Sequence, residues 1–506
     1  TFDATVEGAS VRCSIGHSSG GIRIRDEQVG MDLWLTRLLS MLQAQAAHSE
    51  QTRLDGARDE RAPQNPDNRR TMGKSMTRHR NLFAIAAAGM LVCILPACSN
   101  TKSSNSSSGT TPTTSATGQN QFANLKPIAA PNPCVNDPGM SSSEIKVGVI
   151  VPQTGAQAAS FQDALNGIKA RVDKANSSGE LGARKITLVI RDDGGDQTKN
   201  LQQSRDLVEN AKVWALVEVS AASGGGASYL SQNGIPVTGW HVGIPAWSID
   251  KNMFTFRLPT AADPGHVYND RDATIMKNQG VTKVALIGGG NAQSVDFLSR
   301  NKHSFKAVGL PVVYDNESVP AGTTDFTAEA QAIKDSGADG LLTGMDFIPN
   351  TNLSAQLQKD GVQMKELQFP GGYDPRVLGL PGMEGAFFGL EFKPFESTPP
   401  TPAYTAFNTA MPQGQVRNQV SYIGWLSGEI LMQGIKDAGV SCPTRTAFIN
   451  NLRMEHAYTG NGAFDPVDLA AGFGQEFPCA YYVKVVNKQF APQFGGVQQC
   501  GKPIHF

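Results

Sequence analysis

The sequence predicts an α/β protein made of two doubly wound, parallel-sheet units, and three observations carry that prediction. Short β-branched runs alternate with segments whose apolar residues fall at helical spacing, this alternation begins twice along the chain, and the runs end in turns rich in Gly, Ser or Asp. The runs are continuously apolar rather than alternating, as strands covered on both faces are.

The first unit opens at residues 145–151 (IKVGVIV), which stop at Pro152 and turn through Gly155. Phe161, Ala164, Leu165, Ile168, Val172 and Ala175 then form one apolar helical stripe. Strands are expected at 186–190, 213–219 and 235–238, alternating with helices near 198–210 and 225–233. After Pro264 the pattern restarts, with strands at 284–287, 312–314 and 341–343 and helices near 295–308, 326–336 and 353–360. A long helix over 419–438 and strands at 481–486 and 489–492 close the chain.

The chain of 506 residues is 40% hydrophobic and 18% charged, which suffices for two or three domains with real cores and excludes a disordered chain. Its formal net charge is -1, and no Lys/Arg stripe runs through it, so nucleic acid is not an expected partner. No apolar run reaches the roughly 18 residues of a membrane span.

Residues 82–95 (LFAIAAAGMLVCIL) follow Arg78, His79 and Arg80 and lead into Leu95-Pro96-Ala97-Cys98. A basic start, a short apolar core and a small residue before the cut make 72–97 an export signal. The four residues ending at Cys98 resemble the bacterial lipobox, which implies a lipid on Cys98 and an anchor to the outer face of the cytoplasmic membrane. Of the 19 residues from 99 to 117, 13 are Ser or Thr, so 98–143 is expected to be a flexible tether. Residues 1–71 are expected to be an upstream extension, with Met72 or Met76 as initiator. Within them Gly16-His17-Ser18-Ser19-Gly20 matches a nucleophile elbow, but the residues after it do not begin a helix, so it is discounted.

Of seven Cys, Cys13 precedes the signal, Cys93 lies in it and Cys98 is the lipid site. The even remainder in an exported chain suggests two disulfides, expected as Cys442 with Cys479, bracketing one C-terminal subregion, and Cys134 with Cys500, tying start to tail. No metal-type Cys/His spacing occurs, and neither a metal nor a cofactor is expected. Asp192, Asp193 and Asp196 do not fit a Ca²⁺ loop; a strand-end turn with Asp196 capping the next helix explains them better. The loop from Ser220 through Ala221 and Ala222 to Gly226 sits between a strand and a helix start, where it is either a seat for an anion or a tight turn. The same holds for Gly288-Gly289-Gly290. His241, flanked by Trp240 and Trp247, follows a strand, as do Asp346, Tyr373 and Asp374, and open α/β sheets bind ligands at such ends. No nucleophile, carboxylate pair or metal set has a placed context, so an enzyme is not expected.

From about Glu144 onward the order of these elements resembles the type I periplasmic solute-binding proteins, in the leucine/isoleucine/valine-binding branch that serves ABC transporters. The resemblance rests on Lys146-Val147-Gly148-Val149-Ile150 with Thr154-Gly155, on 186–193, on Ser220, on Asn233-Gly234-Ile235-Pro236-Val237, on Gly361-Val362, on 382–389 and on Ala480-Tyr481-Tyr482-Val483-Lys484-Val485. It implies two lobes joined by three crossing segments, 144–262 with 392–475 and 263–391 with 476–506, closing on a solute in the cleft. It also implies a monomer that delivers the solute to a permease and ATPase. Ser220, Ala221, Ala222, His241 and Gly243 would hold a carboxylate, facing Gln293, Asp346, Tyr373 and Asp374 on the other lobe. The solute would be a small polar or amphiphilic molecule, similar to a branched-chain amino acid, amide or carboxylate. A sensor reporting to a membrane regulator and a cell-wall hydrolase are the alternatives.

Overall fold

The computed structural model describes residues 122–259, 267–320 and 322–506, together with two short N-terminal strands. Those strands, Phe2–Val6 and Ala9–Cys13, pair antiparallel within a separate unit, Thr1–Thr110. The signal segment 72–97, Cys98, the Ser/Thr run and the Gly16 to Gly20 motif lie outside the described residues.

The unit Thr111–Phe506 carries two sheets. The first consists of β1 (Glu144–Ile150), β2 (Lys185–Arg191), β3 (Ala215–Glu218), β4 (Val237–Gly239) and β5 (Met253–Thr255). They lie in the order β2-β1-β3-β4-β5, all parallel, because each connection is a helical crossover. The first three crossovers contain α1 (Ala164–Ser178), α2 (Gln197–Arg205) and α3 (Gly224–Gln232). Asp196 caps α2 by accepting from the Lys199 N–H, as expected of the Asp-rich turn. The glycines that open α3 let it lie against α2: a Cβ on Gly225 would stand 2.0 Å from the Gln197 carbonyl oxygen. The stripe from Phe161 to Ala175 is split, since a one-turn helix, Ala158–Phe161, ends before α1 begins. Asp163 stands at the break, its carboxylate engaged by Arg376 and Asn418.

The second sheet begins with β7 (Val284–Gly289), β8 (Val312–Val319), β9 (Gly340–Gly344), β10 (Glu366–Phe369) and β11 (Ala386–Leu390), in the order β8-β7-β9-β10-β11 and again parallel. Strands β12 (Cys479–Val486) and β13 (Gln489–Pro492) extend it antiparallel, and β14 (Gln499–Cys500) pairs with β12. Helices α4 (Arg271–Asn278), α5 (Ala292–Val308), α6 (Thr327–Ser336) and α7 (Phe347–Lys359) accompany it. Strand β6 (Val267–Asn269) pairs instead with the terminal β15 (Pro503–His505).

Between Leu390 and Cys479 the chain returns to the first lobe through α8 (Pro402–Ala410), α9 (Gln419–Asp437) and α10 (Arg445–Leu452). Helix α9 starts in a capping box of Asn418 and Ser421 and lies along α1. Glycines permit that approach, since a Cβ on Gly424 would come within 2.0 Å of the Ala164 carbonyl oxygen. The chain thus passes between the lobes three times, after β5, after β11 and before β12.

Two expectations are corrected. The tether does not reach residue 143: Lys126 and Ile128 hydrogen-bond Asn450 and Asn451, Asp137 accepts from the Arg445 N–H, and Met140 is buried. These residues are strapped to the first lobe. The disulfides are Cys134–Cys442 and Cys479–Cys500, not Cys442 with Cys479 and Cys134 with Cys500. Cys442 follows α9 on the first lobe and meets the strap, with Cα atoms 5.5 Å apart. Cys479 opens β12 in the second sheet, where the register sets it directly opposite Cys500.

Candidate functional site

Each sheet order reverses once at the strand that begins it, between β1 and β3 in the first lobe and between β7 and β9 in the second. Loops leaving adjacent strands there turn to opposite faces and open a crevice. The two crevices face one another across a cleft of about 310 Å³. Ala221, His241 and Gly243 line it from the first lobe, and Gln293, Asp346, Tyr373 and Asp374 from the second. Ser220 and Ala222 do not line it. Ser220 is fully buried, its hydroxyl donating to Asp193 Oδ2 at 2.6 Å and accepting from the Ala222 N–H at 3.0 Å. Asp193 also accepts from Asn200, so this group braces the loop from beneath.

Apolar walls separate the polar ends. Phe161 and Trp240, with ring centroids 6.0 Å apart, form one side, and Phe297, Leu342, Met345 and Phe369 belong to the other. The Tyr373 ring is buried against Phe395 and Phe490, and its hydroxyl donates to Glu396 Oε2 at 2.6 Å. Burial and the Glu396 charge push that hydroxyl far up, so it stays protonated.

The sequence gives no motif for Glu391, yet it organises the loop after β4. Trp240 Nε1 donates to its Oε2 and His241 Nε2 lies 2.8 Å from its Oε1. His241 Nδ1 accepts the Gly243 N–H at 3.0 Å, which assigns the ring proton to Nε2 and makes the imidazole a neutral donor to Glu391. The turn that achieves this holds Val242 at φ 42°, a region β-branched residues rarely adopt. The available signal was position: Glu391 immediately follows the apolar run of β11.

The lobes are closed on the cavity. Gln293 Nε2 donates to the Ala221 carbonyl at 3.2 Å, Arg376 Nη2 to Asp163 at 2.9 Å and Asn418 Nδ2 to Asp374 at 2.6 Å. Burial acts to raise the Asp374 carboxyl, but Arg376 and Asn418 outweigh it and hold it below the usual range. Asp346 differs. Burial raises its carboxyl, offset only in part by a hydrogen bond from Ser160. Among the described residues, no group of three or more His, Cys, Asp or Glu is placed to hold a metal, and no helix is long and apolar enough to cross a membrane.

Residues 144–489 match the family described as periplasmic binding protein. A Leu/Ile/Val-binding protein homolog from Brucella melitensis is 25% identical over 222 residues, 44% of this chain; the match spans 60% of that relative's own length. Among solved structures, the branched-chain amino acid transporter substrate binding protein LivJ from Streptococcus pneumoniae, in complex with isoleucine, superposes with a TM-score of 0.58 at 17% identity. That match covers 71% of this chain and all of that one. A solute binding protein of an ABC transporter from R. palustris, in complex with 4-hydroxybenzoate, gives 0.55 at 20% identity, covering 72% and 96%. With two sheets of matching strand order, three crossings and a closed cleft between them, the chain belongs to the periplasmic binding protein family and has its type I fold.

Proposed function

We propose that this chain is the extracytoplasmic solute-binding receptor of an ABC importer, capturing a small amphiphilic solute between its lobes and presenting it to a permease and ATPase. The observation that carries the reading is the cleft at the facing switch points of the two sheets, with apolar walls between polar ends. The alignment to Leu/Ile/Val-binding relatives supports it, as do solved neighbours bound to an amino acid and to an aromatic acid. The receptor is held at the membrane by lipid on Cys98, a reading supported by the apolar core before Leu95-Pro96-Ala97-Cys98. Ala221, His241, Gly243, Gln293, Asp346, Tyr373 and Asp374 contact the solute, and Ser220 with Ala222 shapes the loop behind them.

A thermal-shift screen of the full chain against amino acids, amines, amides and aromatic acids tests this. A ligand present at 100 times its Kd stabilises the folded form by about 2.7 kcal/mol, which moves the melting point measurably. No response from any class would contradict the reading.

A further inference from the structure

Donors on the loops after β3 and β4 that could hold a carboxylate are already engaged inside the protein. The Ser220 hydroxyl serves Asp193, the Ala222 N–H serves Ser220, the Gly243 N–H serves His241, and His241 and Trp240 serve Glu391. Gln293 donates to the Ala221 carbonyl. The lining holds six acids and three arginines, and each arginine is paired with an acid: Arg271 with Asp272, Arg300 with Asp296, Arg376 with Asp374 and Asp163. Two acids are left without a paired cation. Asp346 caps no N–H of its own helix, and no Lys, Arg or His among the described residues pairs with it. Glu391 is held by two neutral N–H groups; the charge of Arg257 reaches it, but Arg257 hydrogen-bonds Cys479 and Gln498. Independently, Gln368 Oε1, on a lining residue only 4% exposed, is a buried acceptor with no partner.

A cleft that carries two acids without a paired cation, with aromatic faces at Phe161 and Trp240, attracts a hydrogen-bond-donating cation and penalises an anion. We infer that the cleft selects an organic ammonium ion that lacks a free carboxylate, its charge set between Asp346 and Glu391 and its apolar body against Phe161 and Trp240. This rests on the receptor reading above and narrows its solute class.

Three probes share one branched body and differ in charge: L-leucine, isoamylammonium (leucine without its carboxylate) and 4-methylpentanoate (leucine without its ammonium). Titration calorimetry on the full chain should show isoamylammonium binding at least tenfold more tightly than 4-methylpentanoate and no more weakly than leucine. Asp346→Asn should weaken the ammonium about tenfold while leaving the melting point of the unliganded protein unchanged. Glu391→Gln, which keeps an acceptor for Trp240 or His241, should act in the same direction. Tighter binding of leucine or 4-methylpentanoate, or ammonium affinity unchanged in both variants, overturns the inference and leaves the receptor reading standing. Silence from isoamylammonium and from larger ammonium ions up to the size of the cavity also overturns it. Silence from probes of every charge overturns both.

Discussion

Glu218 shows how far this protein goes in burying acid groups beneath its binding loops. It ends β3, is fully buried, and its carboxyl is pushed up to about 8, by burial first and by the charge of Asp193 second. Against an ordinary value of 4.5, the folded protein holds a proton that the unfolded chain releases. Its contribution to stability is therefore complete below pH 4.5 and is lost as pH rises through about 8. Glu218→Gln keeps the shape and removes the titration. Chemical denaturation at pH 5 and pH 9 should show a fall in stability smaller by about 2 kcal/mol or more in the variant than in the native chain; an equal fall would contradict the assignment. The residues of the cleft were legible to the extent that position alone selects them. Gln293, Asp346, Tyr373 and Asp374 follow strands or open helices, and such places face the crevice. Ser220 occupies a similar place, but its hydroxyl is claimed by Asp193, 27 residues earlier. Glu391 was hidden because its partners, Trp240 and His241, lie 151 and 150 residues away in the other lobe.

Among the elements, β1 through β4 and their helices could be read because each is a continuous apolar run or a periodic stripe. Strand β8 was harder: its second half, 316–319, is Asn-Glu-Ser-Val on a sheet edge, where polar side chains reach water, and only 312–314 carried a signal. The strap before β1 is harder still, since it contains no periodic segment and is fixed by side-chain contacts to α10 and by Cys134. Disulfide connectivity depends on such contacts, which explains why four cysteines could be paired wrongly from spacing. Non-reducing peptide mapping should recover Cys134 linked to Cys442 and Cys479 linked to Cys500, and the same spectra should show the N-terminal peptide of cell-derived protein beginning at a lipid-bearing Cys98. Swapped linkages, or an unmodified peptide running through Cys98, would refute the corresponding statement. Cys134→Ser opens a bridge spanning 308 residues and should cost about 2 to 5 kcal/mol, with the sheets unchanged by circular dichroism.

For the whole molecule, the central claim is that the two lobes act as a clamp whose closed form is stabilised by a solute between them. Gln293 to Ala221, Arg376 to Asp163 and Asn418 to Asp374 hold the closed form from its rim, and they lie outside the reach of any sequence pattern because each joins one lobe to the other. A ligand shifts such an equilibrium only by its preference for one state, so a solute that contacts both lobes must favour closure. The most direct measurement is the distance between two labels, one on each lobe, placed at the exposed positions Ile249 and Leu380 through Ile249→Cys and Leu380→Cys. Titration with the solute found by screening should change that distance in a saturable way at one solute per chain, at the concentration where calorimetry shows binding. A distance that stays constant while the solute binds would contradict the claim.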